Sequence, residues 1–449
     1  MKIKKVKWKN HVILGNLEID FTNPITGEPS ETIILAGENG TGKTTILETL
    51  SIFLNLGSFD AFDFIEYSID NNNYKAVHPT DGTSRPSFFD VVDSAGTIHC
   101  IRADWNKNTD SIESNPLDLR KNGCVFSKAR ADYKTEQIKS TTTKQLDADK
   151  YDFDKEDDFT SLKQLLVDIQ NQDNSEYVEL NKELGLNPKS WTDYYPLSKI
   201  YRFKNAFDIF FDKIKYQKVV DRDGEKLILF SKHGKTVSID HLSTGEKQIV
   251  FRGSYLLKNS RKLNGAAILI DEPELSMHPK WQKNILNYYK NLFTENNQQN
   301  VQLFLATHSE YVVGDALMNR MNNLIIILTE VNGNIKATRI EAPSVLPTIT
   351  SAEINYLAFD IASNDYHIEL YGWLQNKESK HTIKSCDDYI KSKTEYSQTI
   401  HSKPSFFGST TYDTLSTYIR NAIDHPSLSM TFSETELRTS IKLLIDLCK

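Results

Sequence analysis

Thr32-Ile33-Ile34-Leu35-Ala36, followed by Gly37-Glu38-Asn39-Gly40-Thr41-Gly42-Lys43-Thr44, is the stretch whose reading decides the fold. The first five residues are a short apolar run of the kind that makes a buried parallel strand. The next eight fit G-x-x-x-x-G-K-[ST], and Thr45 to Leu54 (TILETLSIFL) then resumes with helical spacing. The order strand, glycine loop, helix gives the motif its meaning. Glycines let successive backbone N–H groups turn inward around a phosphate, and the helix N-terminus adds the positive end of its dipole. Gly37, Glu38, Asn39, Gly40, Thr41, Gly42, Lys43, Thr44 and Thr45 are therefore candidate nucleotide-binding residues, with Lys43 assigned to the β and γ phosphates and Thr44 to a Mg²⁺ ion.

Around this stretch the pattern alternates. Short apolar runs from Val6 to Phe21 read as strands, Ser87 to Asp93 and Gly96 to Ala103 as a hairpin, and Gly123 to Ser127 as a further strand. Lys128 to Gly185 turns polar and acidic, including Asp152 to Asp158 (DFDKEDD), and reads as a partly helical insertion. Phe203, Phe207, Phe210, Phe211 and Ile214 predict one helix face turned to the core. Leu227 to Ser231 and Thr236 to Ile239 flank a hairpin turn. Next come a helix from Glu246 to about Leu257, a strand Ala266 to Ile270, a helix from about Lys280 to Phe293 and a strand Val301 to Ala306. Strands alternating with helices imply a parallel sheet covered on both faces, and the chain beyond about residue 342 reads as mostly helical. The expected divisions are residues 1–135 (phosphate-loop lobe), 136–220 (helical insertion), 221–345 (second lobe) and 346–449 (helical C-terminal region).

The 449 residues carry 53 Lys+Arg against 60 Asp+Glu, a net charge of −7, which disfavours a general polyanion binder. No apolar run approaches the ~18 residues of a membrane span, and Met1 to Asn10 lacks the apolar stretch of a signal peptide, so a cytoplasmic location is expected. The four cysteines, Cys100, Cys124, Cys386 and Cys448, lie far apart with no C-x-x-C, which points to neither a zinc site nor a disulfide framework.

Three further motifs follow in order. Ala266 to Glu272 (AAILIDE) is an apolar strand ending in two carboxylates; Asp271 is predicted to bind the metal and Glu272 to act as general base on the attacking water. Leu242-Ser243-Thr244-Gly245-Glu246 opens a helix, and Ser243 with Glu246 also satisfies the S-x-x-E capping box. Thr307-His308-Ser309 follows the strand Val301 to Ala306. Together with Glu274-Leu275-Ser276-Met277-His278-Pro279, this set resembles the ABC-type ATPases of the RecF, SMC and OLD branches. The resemblance implies an α/β head with a parallel-sheet core and an antiparallel β lobe, plus a helical insertion and a helical C-terminal region. It implies binding and hydrolysis of ATP with Mg²⁺, with Lys43, Glu272 and His308 as catalytic residues, His308 sensing the γ-phosphate and Thr44 and Asp271 holding the metal. It also implies a homodimer or higher oligomer in which Ser243, Gly245 and Glu246 of one copy face the nucleotide on Lys43 of another. A metal-sensing glutamine is expected, with Gln137 and Gln145 as candidates. The signature is not the LSGGQ of transporters, and no membrane partnership is expected.

Glu353 to Phe359, Tyr366 to Gly372 and Tyr418 to Pro426 resemble the C-terminal region of Septu-type anti-phage ATPases, including retron-associated ones. That resemblance implies a separate HNH-type nuclease partner and nucleic acid reached directly or through it. Two alternatives stand beside it. Arg420 to His425 (RNAIDH) matches the R-x4-H pattern of HEPN ribonucleases, which would place a nuclease in this chain; however, Arg420 and His425 are about 140° apart on an ideal helix of ~100° per residue, and Arg420 with Asp424 makes an ordinary i, i+4 pair. A RecF-like repair ATPase is the other. A Toprim nuclease is disfavoured, because no Asp-x-Asp follows His308.

Overall fold

The computed structural model describes residues 1–24, 26–79, 88–103, 117–129, 152–153, 159–222, 224–257, 265–295, 298–318, 322–341, 343–407, 409–426 and 429–449. The chain divides into two compact units, Met1–Thr338 and Arg339–Lys449.

The first unit is built on a seven-stranded sheet in the order Asn334–Arg339, Asn323–Val331, Thr32–Gly37, Gln302–Thr307, Ala267–Asp271, Cys124–Ser127, Asp152–Phe153. Every pairing from Asn323–Val331 to Asp152–Phe153 is parallel. In the three central strands, Thr32–Gly37, Gln302–Thr307 and Ala267–Asp271, every position is buried. Burial on both faces is why their sequences are continuous apolar runs and not alternations. A second sheet of six antiparallel strands comprises Glu18–Asp20, Lys2–Trp8, Phe62–Ile69, Asn72–Val77, Phe88–Asp93 and Ile98–Arg102. One apolar core joins it to the phosphate-loop helix Lys43–Leu54 and to the parallel sheet. Phe53 is the hub, with its ring 5.7–6.0 Å from those of Phe59, Phe62, Tyr67 and Phe89. The indole of Trp8 donates to the Thr49 hydroxyl at 3.0 Å, which satisfies its only polar atom inside that core.

The unit also holds helices Phe159–Leu184, Lys199–Phe210, Thr244–Leu257, Ile285–Leu292 and Glu310–Met318 and a three-stranded antiparallel sheet, Ile214–Arg222, Glu225–Lys232 and Lys235–Ser238. Two expectations need correction here. The predicted five-residue helix face ends at Phe210: Phe211 is already extended (φ −103°, ψ 124°), and Ile214 opens a strand paired with Lys232. The Asp208 carboxylate takes the Tyr216 N–H at 2.9 Å, which turns the chain there, while the Phe211 ring stays in the apolar cluster against Trp281. The helix expected from Lys280 to Phe293 is two pieces, Pro279–Gln282 and Ile285–Leu292.

In the second unit, helices Ser351–Phe359, Asn364–Lys377, Ile383–Lys391, Leu415–Asp424 and Glu434–Cys448 bury Tyr366, Leu370, Leu374, Ile390, Ile419, Ile441 and Leu444 in a core of their own. Ser433 and Glu436 cap the last helix reciprocally. The unit also contains an antiparallel hairpin, Ser402–Phe407 with Thr410–Thr414, inside a region that reads as mostly helical. Among the described residues, no helix is long and apolar enough to cross a membrane.

Candidate nucleotide site

The phosphate loop leaves its strand at Gly37 and enters the helix at Gly42. A Cβ on Gly37 would stand 2.3 Å from the Leu328 carbonyl oxygen, and one on Gly42, at φ +82°, would stand 2.5 Å from Leu14 Cδ2. Only glycine fits either place. Glu38, Asn39 and Gly40 are exposed at the tip, and the Thr41 hydroxyl donates to the Glu38 carbonyl at 2.8 Å. Gly42 supplies no side-chain cap, so no side-chain acceptor from that position covers the first N–H groups of the helix. The Lys43 ammonium is buried and donates to the Gly37 and Glu38 carbonyls at 2.8 and 2.7 Å. Burial pulls its pKa below the ordinary lysine value, against the pull of Asp271, Glu272, Glu274 and Glu38. An uncapped helix end beside a buried cation is the arrangement an anion completes.

The parallel pairing of Thr32–Gly37, Gln302–Thr307 and Ala267–Asp271 brings their C-terminal ends together. The Thr44 hydroxyl lies 3.0 Å from both carboxylate oxygens of Asp271. Burial raises the Asp271 carboxyl to about 6, opposed by the Thr44 hydrogen bond. A hydroxyl and a carboxylate at one point are hard oxygen donors, the kind Mg²⁺ takes alongside phosphate oxygens, so these residues fit the ion. Glu272, next in sequence, is left-handed at φ +44°, an uncommon conformation for a glutamate. Its N–H donates to the Ala306 carbonyl at 2.9 Å, and its own carbonyl accepts from Arg252 Nη1 at 3.0 Å. Arg252 Nη2 also reaches the Asp271 carbonyl at 2.8 Å and the Lys128 carbonyl at 2.5 Å. His308 Nδ1 lies 3.4 Å from Glu272 Oε1 and 3.7 Å from Glu274 Oε1.

The signature residues stand apart from this group by their own bonding. Ser243 N–H donates to Glu246 Oε2 at 2.8 Å and Glu246 N–H to the Ser243 hydroxyl at 3.4 Å, a reciprocal cap. The Glu246 carboxylate is further held by Lys232 at 2.9 Å, so its charge is taken up within the chain. A Cβ on Gly245 would stand 2.8 Å from the Ser276 carbonyl oxygen; the helix start therefore packs on the loop after the acidic strand. Ser243 and Thr244 are exposed, and Thr45 is half-buried beside Thr44. Gln137 and Gln145 lie outside the described residues. In the second unit, Arg420 pairs with Asp424 at 2.5 Å and donates to Asn421 Oδ1 at 3.0 Å, while exposed His425 closes the helix at φ −129°, ψ 70°. Sequence reasoning gave Arg252 no role and took Glu274 only as the first residue of the family motif Glu274 to Pro279; for Arg252 the available signal was a lone charge inside the otherwise uncharged stretch Ile249 to Leu257.

Residues 33–314, more than half of the chain, match the family described as "AAA domain, putative AbiEii toxin, Type IV TA system". The "Retron Vc95 probable ATPase" of Vibrio cholerae serotype O1 biovar El Tor is 27% identical over 359 residues, covering 64% of this chain and 68% of that protein. "Septu protein PtuA" of Bacillus thuringiensis is 24% identical over 345 residues, covering 71% of this chain and 74% of that one. Among solved structures, the SMC head bound to the C-winged helix domain of ScpA is similar at 13% identity, with a TM-score of 0.40, over 76% of this chain and 98% of that one. The chain belongs to this AAA-domain family, and its likeness to the retron ATPase and Septu PtuA overlaps the same stretch.

Proposed function

We propose that this chain is the ATP-binding and ATP-hydrolysing subunit of a bacterial anti-phage defence complex, acting in the cytoplasm. In this reading it dimerises around ATP and governs a separate HNH-type nuclease, reaching nucleic acid directly or through that partner. The observation that carries the ATPase part is the 3.0 Å approach of Thr44 to Asp271 with Glu272 and His308 at the same strand ends. Thr44 and Asp271 would hold Mg²⁺, which would supply neutralisation of charge on the phosphates. Lys43 exchanges its two carbonyl partners for phosphate oxygens. Glu272 orients the attacking water and takes its proton, and His308 meets the γ-phosphate side. The exposed Ser243 hydroxyl and the helix N-terminus behind it offer hydrogen-bond donors to the triphosphate held by Lys43 of a second copy. The defence part is supported by the likeness to the retron ATPase and Septu PtuA.

Calorimetry and light scattering with Mg·ATP test this reading. The wild type should bind and shift to a larger species. Lys43→Ala should bind roughly 30- to 150-fold more weakly, reflecting the ~2–3 kcal/mol of hydrogen bonds to a charged group, and should not shift. A wild type that gives no heat and no shift sinks the ATP-clasping reading. Natively expressed chain that brings down no nuclease sinks the partner.

A further inference from the structure

We propose that Glu274 is a positioning residue for ATP hydrolysis: one of its carboxylate oxygens holds the Thr307 hydroxyl and the His308 peptide N–H, and so fixes where the His308 ring stands beside Glu272. The proposal rests on the reading of Glu272 and His308 given above. The strand ends that carry these two residues lie side by side, with Asp271 opposite Ala306 in register. The last ladder bond runs from Glu272 N–H to the Ala306 carbonyl at 2.9 Å. Beyond it the two chains diverge, one turning left-handed at Glu272 and the other running on to His308. Glu274 Oε1 bridges the gap, accepting from Thr307 Oγ1 at 2.7 Å and from His308 N at 3.0 Å. The His308 ring is 39% exposed, so its place is set through its backbone more than by packing.

Glu274 makes its side-chain hydrogen bonds through Oε1 alone. It is 3% exposed, and its second oxygen, Oε2, is buried with no hydrogen-bond partner. An unsatisfied buried acceptor is destabilising, so the residue is explained by what Oε1 holds. Both bonds ask Oε1 for lone pairs and neither requires a negative charge; burial in fact pushes the carboxyl above its ordinary value. An amide oxygen should therefore serve.

The test compares wild type, Glu274→Ala and Glu274→Gln by calorimetry with Mg·ATP and by steady-state ATP turnover. Binding reports that each variant is folded, independently of chemistry. Glu274→Ala should lower kcat ~100-fold, the scale of a misplacement near 1 Å, while the Kd for Mg·ATP stays within ~3-fold. Glu274→Gln should restore kcat to within ~5-fold of wild type. Three results overturn the proposal: an alanine variant that turns over within ~3-fold of wild type, an alanine variant that no longer binds Mg·ATP, or a glutamine variant as slow as the alanine one. A wild type that neither binds nor hydrolyses ATP would instead remove the functional reading beneath it.

Discussion

Two histidines, one in each unit, sit beside hydroxyls and within a few residues of carboxylates, and they are placed for opposite ends. His308 ends a parallel strand with its side chain 39% exposed, 3.4 Å from Glu272. His367 is fully buried: its Nε2 meets the Ser440 hydroxyl at 2.9 Å, Ser440 donates to Ser416 at 2.7 Å, and Nδ1 has no partner. Asp387, equally buried, takes the N–H groups of Asp413 and Thr414 and the Thr414 hydroxyl. By residue type alone, Ser, His and Asp in the second unit read as hydrolytic machinery. All are buried, so they serve as two separate polar clusters that tie neighbouring elements together. The difference lies in access: parallel strands end in the open with their last side chains free to meet a substrate, whereas helices packed on one another seal whatever faces inward.

The largest effect expected follows from the open region. Glu272→Gln keeps the size of the side chain and removes the base, so ATP turnover should fall ~10²- to 10⁴-fold, the range of general-base catalysis, while Mg·ATP still binds. A steady-state phosphate-release assay measures it. A variant turning over at the wild-type rate would mean that Glu272, for all its proximity to His308, does not activate the water.

The sealed region gives a smaller, pH-dependent effect. Burial alone lowers the His367 pKa from the ordinary 6.5 to about 3. Between those values the unfolded chain binds a proton that the folded chain refuses, so stability is fully present above pH ~6.5 and is lost as the pH falls, by up to about 1.4 kcal/mol per unit. Scanning calorimetry of the whole chain from pH 7.5 to 5.5 should show the C-terminal transition falling more steeply in wild type than in His367→Gln. The expected difference at pH 5.5 is roughly 1 kcal/mol. Parallel slopes would show that the imidazole is not sealed, and would break the contrast with His308.

What could be read beforehand follows the range of the interactions. The phosphate loop was legible because its eight residues are contiguous and its glycines answer local constraints, such as Gly42 against Leu14. Asp271 and Glu272 were legible because a fully buried strand writes itself as an apolar run with its acids at the end. The part played by Glu274 was not, because it depends on the Ala267–Asp271 strand lying beside Gln302–Thr307, a pairing across 33 residues from Glu274 to Thr307. Ile214 was misread because an i+11 spacing continues a helix stripe equally well after the backbone has straightened at Phe211. The hairpin Ser402–Phe407 with Thr410–Thr414 was hidden by Pro404, which argues against a strand. The register shifts between Ser402 and Ser405, where proline's missing N–H costs no ladder bond.

The smallest effect is expected at Arg420 and His425, where a sequence pattern invites a nuclease and the fold gives each residue a humbler place. Arg420 is spent on Asp424 one turn on and on Asn421, and its helix buries Leu415, Ile419 and Ala422 on the face that meets the core. His425, the cap residue just past Asp424, has already left helical geometry. An ion pair of this kind contributes up to about 1 kcal/mol. Arg420→Ala should therefore lower the melting transition slightly and leave ATP turnover within about twofold of wild type. His425→Ala should leave protection against phage intact. If purified chain degrades RNA and either substitution abolishes that, the C-terminal unit carries chemistry of its own; the rule that exposure at strand ends marks the working residues would then fail in the unit where strands are fewest.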